Sequence, residues 1–365
     1  MTQINKRQGS DDGRGTTRRR VLQTGAVVSG IGLAGCMGGD DDTLRYISRG
    51  GTTQDAEREM FEEWSEDSGI DVQHQEAADD TEMINLIAEN PGEFDFTNPA
   101  QFGLALERLE HDGELFDEID TGEIPNYEEN VQDQWKEAPP IDGEDDAIFY
   151  YMSSQGIGYN QEHVDEITSW DDLKDDDLAG HVALFGSPPT RFGNCCAALE
   201  YDVGEVFEDE DMFEDVFDEM EEQNEYVFNY WDAGDQFMQW MREEQAYASS
   251  AWGGRVQVLN EEGMDTEYVI PDEGAVAHTN YFVITQESEN QEHVYDLLDW
   301  LYEPDRAVEL STSHNYPMAM EDPSDELTEL FEYVEDPDDL LWIDWDSMIS
   351  NLDEITERVN DVMAG

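Results

Sequence analysis

Three arginines carry the clearest chemistry in this 365-residue sequence. Arg49 opens Arg49-Gly50-Gly51-Thr52, Arg191 closes Ser187-Pro188-Pro189-Thr190-Arg191, and Arg255 follows Trp252-Gly253-Gly254. They are three of only nine arginines beyond residue 35, and the whole chain has three lysines, Lys6, Lys136 and Lys174. A guanidinium beside a glycine-rich turn that enters a helix combines a bidentate fork with exposed backbone N–H groups. That combination suits a carboxylate or a phosphonate. Asp232 and Asp235 follow Tyr230-Trp231 and could hold an ammonium group, with Trp231 and Trp252 as aromatic walls. The chemistry suggested is capture of a zwitterionic or anionic small organic molecule. The competing reading pairs these arginines with neighbouring acids and puts both tryptophans in the core.

Catalytic constellations are missing from the pattern. There is no Gly-x-Ser-x-Gly elbow and no P-loop. The His163–Glu166 pair has no second ligand pair in its context. Residues 117–128 put Gly122 and Glu128 at positions six and twelve of a calcium-type loop. Ile119 and Thr121 occupy positions three and five, where oxygen ligands are needed. No catalytic residue, metal site or cofactor is therefore expected. Cys195 and Cys196 are adjacent, read as helical, and are expected to be small buried apolar residues.

Composition narrows the class further. The chain has 92 acidic and 17 basic residues, a formal net charge of −75. Nucleic-acid binding through phosphate neutralisation is excluded, and a protein face docking on anionic lipid is disfavoured. With 38% hydrophobic residues, nine tryptophans and long periodic apolar segments, the chain is expected to fold rather than stay disordered. Its self-repulsion is large in dilute salt and largely screened at ~1 M, where the Debye length is about 3 Å. The composition resembles that of an extreme halophile.

The first 35 residues read as an export address. Thr17-Arg18-Arg19-Arg20 leads into an apolar stretch over residues 21–35, too short for a span of roughly 20 residues. The arginine pair resembles a Tat signal, and Leu33-Ala34-Gly35-Cys36 resembles a lipobox that lipidates Cys36. Residues 36–42, rich in Gly and Asp, read as a tether. The expected location is the outer face of the cytoplasmic membrane, anchored through lipid on Cys36.

The elements that must position the arginines open as β-α-β. Leu44-Arg45-Tyr46-Ile47-Ser48 reads as a strand. Thr52 or Thr53 can cap a helix that presents Ala56, Met60, Phe61 and Trp64 on one face. Ser68-Gly69 stops it before a strand at Ile70-Asp71-Val72, which implies a parallel sheet. Residues 81–90, 209–223 and 294–302 read as helices, residues 94–96 and 180–185 as strands. A single C-terminal helix is expected from the spacing of Ile349, Leu352, Ile355, Val359 and Val362.

Several segments then fall in a characteristic order. Residues 147–160 (AIFYYMSSQGIGYN) lead into Ile167-Thr168-Ser169-Trp170-Asp171-Asp172-Leu173 and Leu178-Ala179-Gly180-His181-Val182-Ala183-Leu184. Phe237-Met238-Gln239-Trp240-Met241-Arg242, Ala251-Trp252-Gly253-Gly254, Pro271-Asp272-Glu273-Gly274-Ala275, Tyr302-Glu303-Pro304 and Asn315-Tyr316-Pro317 follow. This order resembles the extracellular solute-binding proteins of ABC importers, in the spermidine/putrescine-binding family. The resemblance covers essentially residues 44–365.

It implies an α/β, two-lobed type II periplasmic-binding-protein fold that closes on its ligand. Lobe one would be residues 43–152 plus 280–320, and lobe two residues 153–279 plus 321–365. Hinge strands would lie near residues 151–156 and 276–281. Partners implied are a small-molecule ligand and the ABC permease and ATPase subunits, with the receptor a monomer.

The family's polyamine site resembles an aromatic box with carboxylates. Carried over, Trp252 and Tyr316 match aromatic positions. Arg49 replaces a tryptophan, and Ala100 and Phe102 replace a serine and a tyrosine. An acidic pair falls on Ser187 and Thr190, and a Trp-x-Asp falls on His278 and Asn280. The expected ligand-binding set is therefore Arg49, Gly50, Gly51, Thr52, Phe102, Ser187, Thr190, Arg191, Trp231, Asp232, Trp252, Arg255, His278, Asn280 and Tyr316. Carboxylates are missing from the amine positions of a chain rich in them. That favours a zwitterionic or carboxylated amine, with a polyamine as the alternative. A secreted enzyme or a ligand sensor on the same fold is the alternative of another class.

Overall fold

The computed structural model describes residues 43–141 and 143–365. The expected signal segment 1–35, the tether 36–42 and Cys36 lie outside the described residues. Among those described, no helix is long and apolar enough to cross a membrane.

Among the described residues, twelve strands form two sheets: β1 (Thr43–Arg49), β2 (Asp71–Ala77), β3 (Phe96–Thr97), β4 (Ile148–Tyr151), β5 (Ser154–Asn160), β6 (Val182–Phe185), β7 (Val227–Trp231), β8 (Ala248–Trp252), β9 (Thr266–Val269), β10 (Ala275–Ala277), β11 (Asn280–Ile284) and β12 (Leu340–Leu341). The first sheet has the order β2-β1-β3-β11-β4 and the second β12-β10-β5-β8-β6-β7, with β9 on β5. Both are mixed. β1 runs parallel to β2 and β3, whereas β11 is antiparallel to β3 and β4. In the second sheet β6 is parallel to β7 and β8, and β5 is antiparallel to β8.

The opening β-α-β unit forms because its apolar residues share one face. The helix Thr52–Ser68 buries Ala56, Met60, Phe61 and Trp64 in the core around the first sheet and ends at Gly69 with φ +80°. Phe61 meets the edge of Tyr46 at 5.2 Å. Its start differs from expectation: Gly51, with φ +116°, is the N-cap, and neither Thr52 nor Thr53 caps with its side chain. That conformation favours glycine. The C-terminal helix also differs, because Asn351 is non-helical and divides it into Trp345–Ser350 and Leu352–Ala364. The two cysteines are buried on the helix Pro188–Ala198, and burial pushes the Cys195 thiol up to about 11.

The chain passes between the sheets at Met152-Ser153, from β4 to β5, and at His278-Thr279, from β10 to β11. The crossings are tied to each other, since His278 N–H donates to Ser153 O at 2.7 Å. A third passage returns through residues 316–339 to β12. Met152 N–H donates to Pro317 O at its start.

Glu332, on this third passage, is fully buried. One carboxylate oxygen accepts from the Ser154 N–H and Oγ–H, both at 2.9 Å, and the other from Gly253 N–H. It joins the returning segment to the first residue after a crossing and to the start of the helix Gly253–Glu261.

Candidate ligand-binding site

A cleft of about 170 Å³ opens where the crossings meet the two sheets. That is below the roughly 300–1,000 Å³ of drug-sized pockets, so it suits a small metabolite. Arg49, Gly50, Thr53 and Asn98 line it from the first sheet and its loops. Tyr151, Ser153, His278 and Asn280 come from the crossings and the strand ends beside them, Trp252 from the second sheet, Arg255 from the helix Gly253–Glu261 that follows it, and Tyr316 from the returning segment. Among the described residues, no Asp or Glu lines it.

Arg49 ends β1, so strand geometry aims it at the cleft. Its guanidinium lies 3.3 Å from Asp80, and its side chain is 31% exposed. Burial alone would lower the Arg49 pKa, and Asp80 together with Tyr151, Glu57 and Tyr46 more than offsets it. Arg255 sits in the first turn of Gly253–Glu261. Its Nε has no partner, and its nearest acid, Asp235, stands 3.8 Å away with a mostly exposed side chain. Both guanidiniums therefore keep donor capacity for an incoming carboxylate. His278 contributes no charge near neutrality, because burial, and then Arg49, lower its pKa to about 4.

The aromatic walls come from both sheets. Trp252 ends β8 and packs edge-on against Trp231 at 5.0 Å. Tyr316 stacks on Tyr151 at 5.2 Å. Gly254 lets the second-sheet helix approach this pair. A Cβ there would lie 2.8 Å from Asn315 O and 2.9 Å from the Tyr316 ring. Gly254→Ala is expected to displace Tyr316, at a cost of about 1–3 kcal/mol, and to weaken ligand binding. Thermal unfolding and a ligand titration on one preparation check this. An unchanged pair of values would contradict it.

Seven of the fifteen expected residues line the cleft: Arg49, Gly50, Trp252, Arg255, His278, Asn280 and Tyr316. Gly51 borders it, since a Cβ there would lie 3.6 Å from the Arg255 guanidinium. Thr52 is exposed, and the next residue, Thr53, takes its place. Thr190 stands one layer back, with Oγ1 3.2 Å from His278 Nε2. Ser187 holds the N-cap position of Pro188–Ala198 without a side-chain capping bond and does not line the cleft.

Four expectations need correction. Arg191 points along its own helix into the second-sheet interior, with NH1 3.0 Å from Cys195 Sγ. Trp231 is fully buried, stacked on Phe185 at 4.3 Å, and backs Trp252 rather than facing the cleft. Phe102 packs on Trp345 at 5.4 Å, joining the helices Gln101–Glu110 and Trp345–Ser350. Asp232 is exposed, with its N–H bonded to Gln236 Oε1. Thr53, Asn98, Tyr151 and Ser153 were missed. Three of them neighbour motifs already singled out, and Asn98 carried no sequence signal.

Residues 105–351 match the family described as bacterial extracellular solute-binding protein. The chain belongs to that family. This solute-binding protein is 23% identical over 304 residues to the spermidine/putrescine-binding periplasmic protein of Salmonella typhimurium, covering 82% of this chain and 83% of the relative. The spermidine/putrescine ABC transporter substrate-binding protein of Streptococcus pneumoniae superposes with a TM-score of 0.77 at 19% identity. That match covers 88% of this chain and 99% of the other. The Atu4243-GABA receptor superposes at 0.66 with 19% identity, covering 88% and 97%.

The fold is the two-lobed type II periplasmic-binding-protein fold. The chain is a substrate-binding protein of an ABC transporter, related to the spermidine/putrescine binders. Its family is one of transport receptors and not of enzymes.

Proposed function

We propose that this solute-binding protein captures a small zwitterionic or carboxylated amine and delivers it to an ABC permease and its ATPase without chemical change. One observation carries the reading. In a chain with 92 acidic residues, the described cleft is lined by two arginines and by no carboxylate. A polyamine bound there would bring ammonium groups next to two guanidiniums without a facing acid, which is unfavourable in a partly desolvated site. An amino-acid-like ligand would place its carboxylate on Arg49 and Arg255 and an aromatic-walled amine beside Trp252 and Tyr316. The Atu4243-GABA receptor is named for a ligand of this class. The polyamine reading draws its support from the names of the Salmonella and Streptococcus proteins.

Two lobes, residues 43–152 plus 280–320 and residues 153–279 plus 321–365, would close on the ligand about the crossings. Export through the amino-terminal segment and a lipid on Cys36 would hold a monomeric receptor at the outer face of the cytoplasmic membrane. A thermal-shift screen in multimolar salt tests the ligand class. A ligand at a hundredfold excess over Kd adds about 2.7 kcal/mol. Stabilisation by ω-amino acids or related carboxylated amines supports the reading, and stabilisation by putrescine or spermidine alone overturns it.

The composition supports life in high salt. Unfolding temperature is expected to rise between 0.1 and 2 M KCl, as a Debye length of about 10 Å at 0.1 M contracts to 3 Å or less. A flat or falling curve would contradict this.

A further inference from the structure

Behind the cleft wall lies an acid that does not touch the cleft. Glu57, on the helix Thr52–Ser68, is fully buried, and among the described residues no cation lies within ion-pair distance of it. Its Oε2 accepts from Tyr46 OH at 2.8 Å and its Oε1 from Asn98 Nδ2 at 2.7 Å. An ionised carboxylate only accepts, so this contact fixes which end of the Asn98 amide faces inward. Asn98 lines the cleft, is 3% exposed, and its Oδ1 has no hydrogen-bond partner. A buried carbonyl oxygen without a donor is costly unless a ligand supplies one. Asn280 repeats the arrangement: its Nδ2 donates to Asn98 O at 3.0 Å, leaving Oδ1 as its free end.

We infer that Glu57 is a positioning residue that sets the polarity of the site, turning Asn98 Oδ1 out as the acceptor for the ligand's ammonium group. This rests on the carboxylated-amine reading and supplies its second pole. The amine is held by amide oxygens, since Asp232 and Asp235 are exposed and neither lines the cleft. A carboxylate in place of these oxygens would neutralise Arg49. Amide acceptors leave Arg255, and the donors that Arg49 does not give to Asp80, for the ligand's own carboxylate.

Glu57 also gives the arrangement a pH signature. It faces Tyr46, Ser48 and Arg49 from β1, Tyr150 from β4, and Asn98. Burial pushes it up to about 7 against the pull of those hydrogen bonds and of Arg49. Tyr46 and Tyr150 are raised well above their usual range, and burial lowers the nearby His74 to about 4 and His314 to about 3. Near neutrality Glu57 is the group of this cluster that titrates. Once protonated it can donate to Asn98 Oδ1, and the amide is no longer fixed.

The test is calorimetric titration in multimolar KCl with matched probes: ω-amino acids from glycine to 6-aminohexanoate, each against the alkyl carboxylate lacking the amine. At pH 8 the amino member is expected to bind at least about tenfold tighter, the scale of one hydrogen bond to a charged group. That preference should shrink as pH falls to 6. Glu57→Gln, which can donate as well as accept, should cut the preference about tenfold and remove its pH dependence. Asn98→Ala should cut it similarly and serves if Glu57→Gln does not fold. A preference untouched by both variants, or a wild type that binds both members alike, overturns the inference and leaves the arginine site standing. Failure of every carboxylated amine to bind overturns both.

Discussion

Arg49→Ala and Arg255→Ala are each expected to weaken a carboxylated ligand by tenfold to a hundredfold. A charge-assisted hydrogen bond to a carboxylate contributes about 1.5–3 kcal/mol, and about 1.4 kcal/mol is a factor of ten. The upper part of this range suits these side chains, which are 31% and 20% exposed and so only partly screened by solvent. The two sites differ in their protein partners. Arg49 also faces the buried Asp80, so Arg49→Ala should lower the stability of the free protein as well. Arg255 meets only an exposed aspartate, so its loss should appear in binding alone. Arg→Lys at either position keeps the charge and loses the planar fork, and should recover only part of the affinity. Calorimetry with each variant, beside its unfolding temperature, separates these effects. Affinities within threefold of wild type would remove both residues from the site.

The largest effect on stability is expected from Glu332→Ala. The substitution removes one of 92 acids from a chain of net charge −75, a change that relieves repulsion anywhere on the surface. Here it should do the opposite. The Ser154 N–H and the Gly253 N–H would lose their acceptor inside the protein, while the Ser154 hydroxyl would keep Tyr268 OH at 2.7 Å. Each buried donor left unsatisfied costs about 1–3 kcal/mol, so a loss of at least about 2 kcal/mol is expected in chemical unfolding.

The same region sets the pH profile. Burial raises Glu332 to about 8 and Glu57 to about 7. A folded-state value above the unfolded one means that the folded protein holds these protons more tightly. That stability is fully present below the ordinary carboxylate range and is lost as pH rises through the folded values. Below about pH 6.5 the buried, neutral His74, His278 and His314 oppose the two acids, since each charges on unfolding. Stability should therefore decline from about pH 6.5 to pH 8, and Glu332→Gln should flatten the decline. A profile that rises over this window would contradict the assignment.

Much of the scaffold was legible in the sequence because burial imposes a period. Ala56, Met60, Phe61 and Trp64 follow helical spacing, and Leu44, Tyr46 and Ile47 mark a buried strand. The site was legible where backbone geometry alone aims a side chain, as for Arg49 at the end of β1 and Trp252 at the end of β8. It was not legible where one step around a helix decides. Thr190 faces His278, yet the next residue, Arg191, turns into the interior. Asn98 gained its role from Glu57, 41 residues away, and Glu332 from Ser154, 178 residues away. Neither acid stands out by type in so acidic a chain.

The central claim is that the cleft binds a carboxylate through Arg49 and Arg255 rather than a polyamine through acids. Titration of the wild type and of the Arg49→Ala/Arg255→Ala double variant, in multimolar KCl, with the ω-amino acid series and with spermidine tests it most directly. The account predicts saturable binding of a carboxylated amine by the wild type, its loss in the double variant, and no tight spermidine binding by either. Tight spermidine binding by the wild type that survives the double substitution would contradict it.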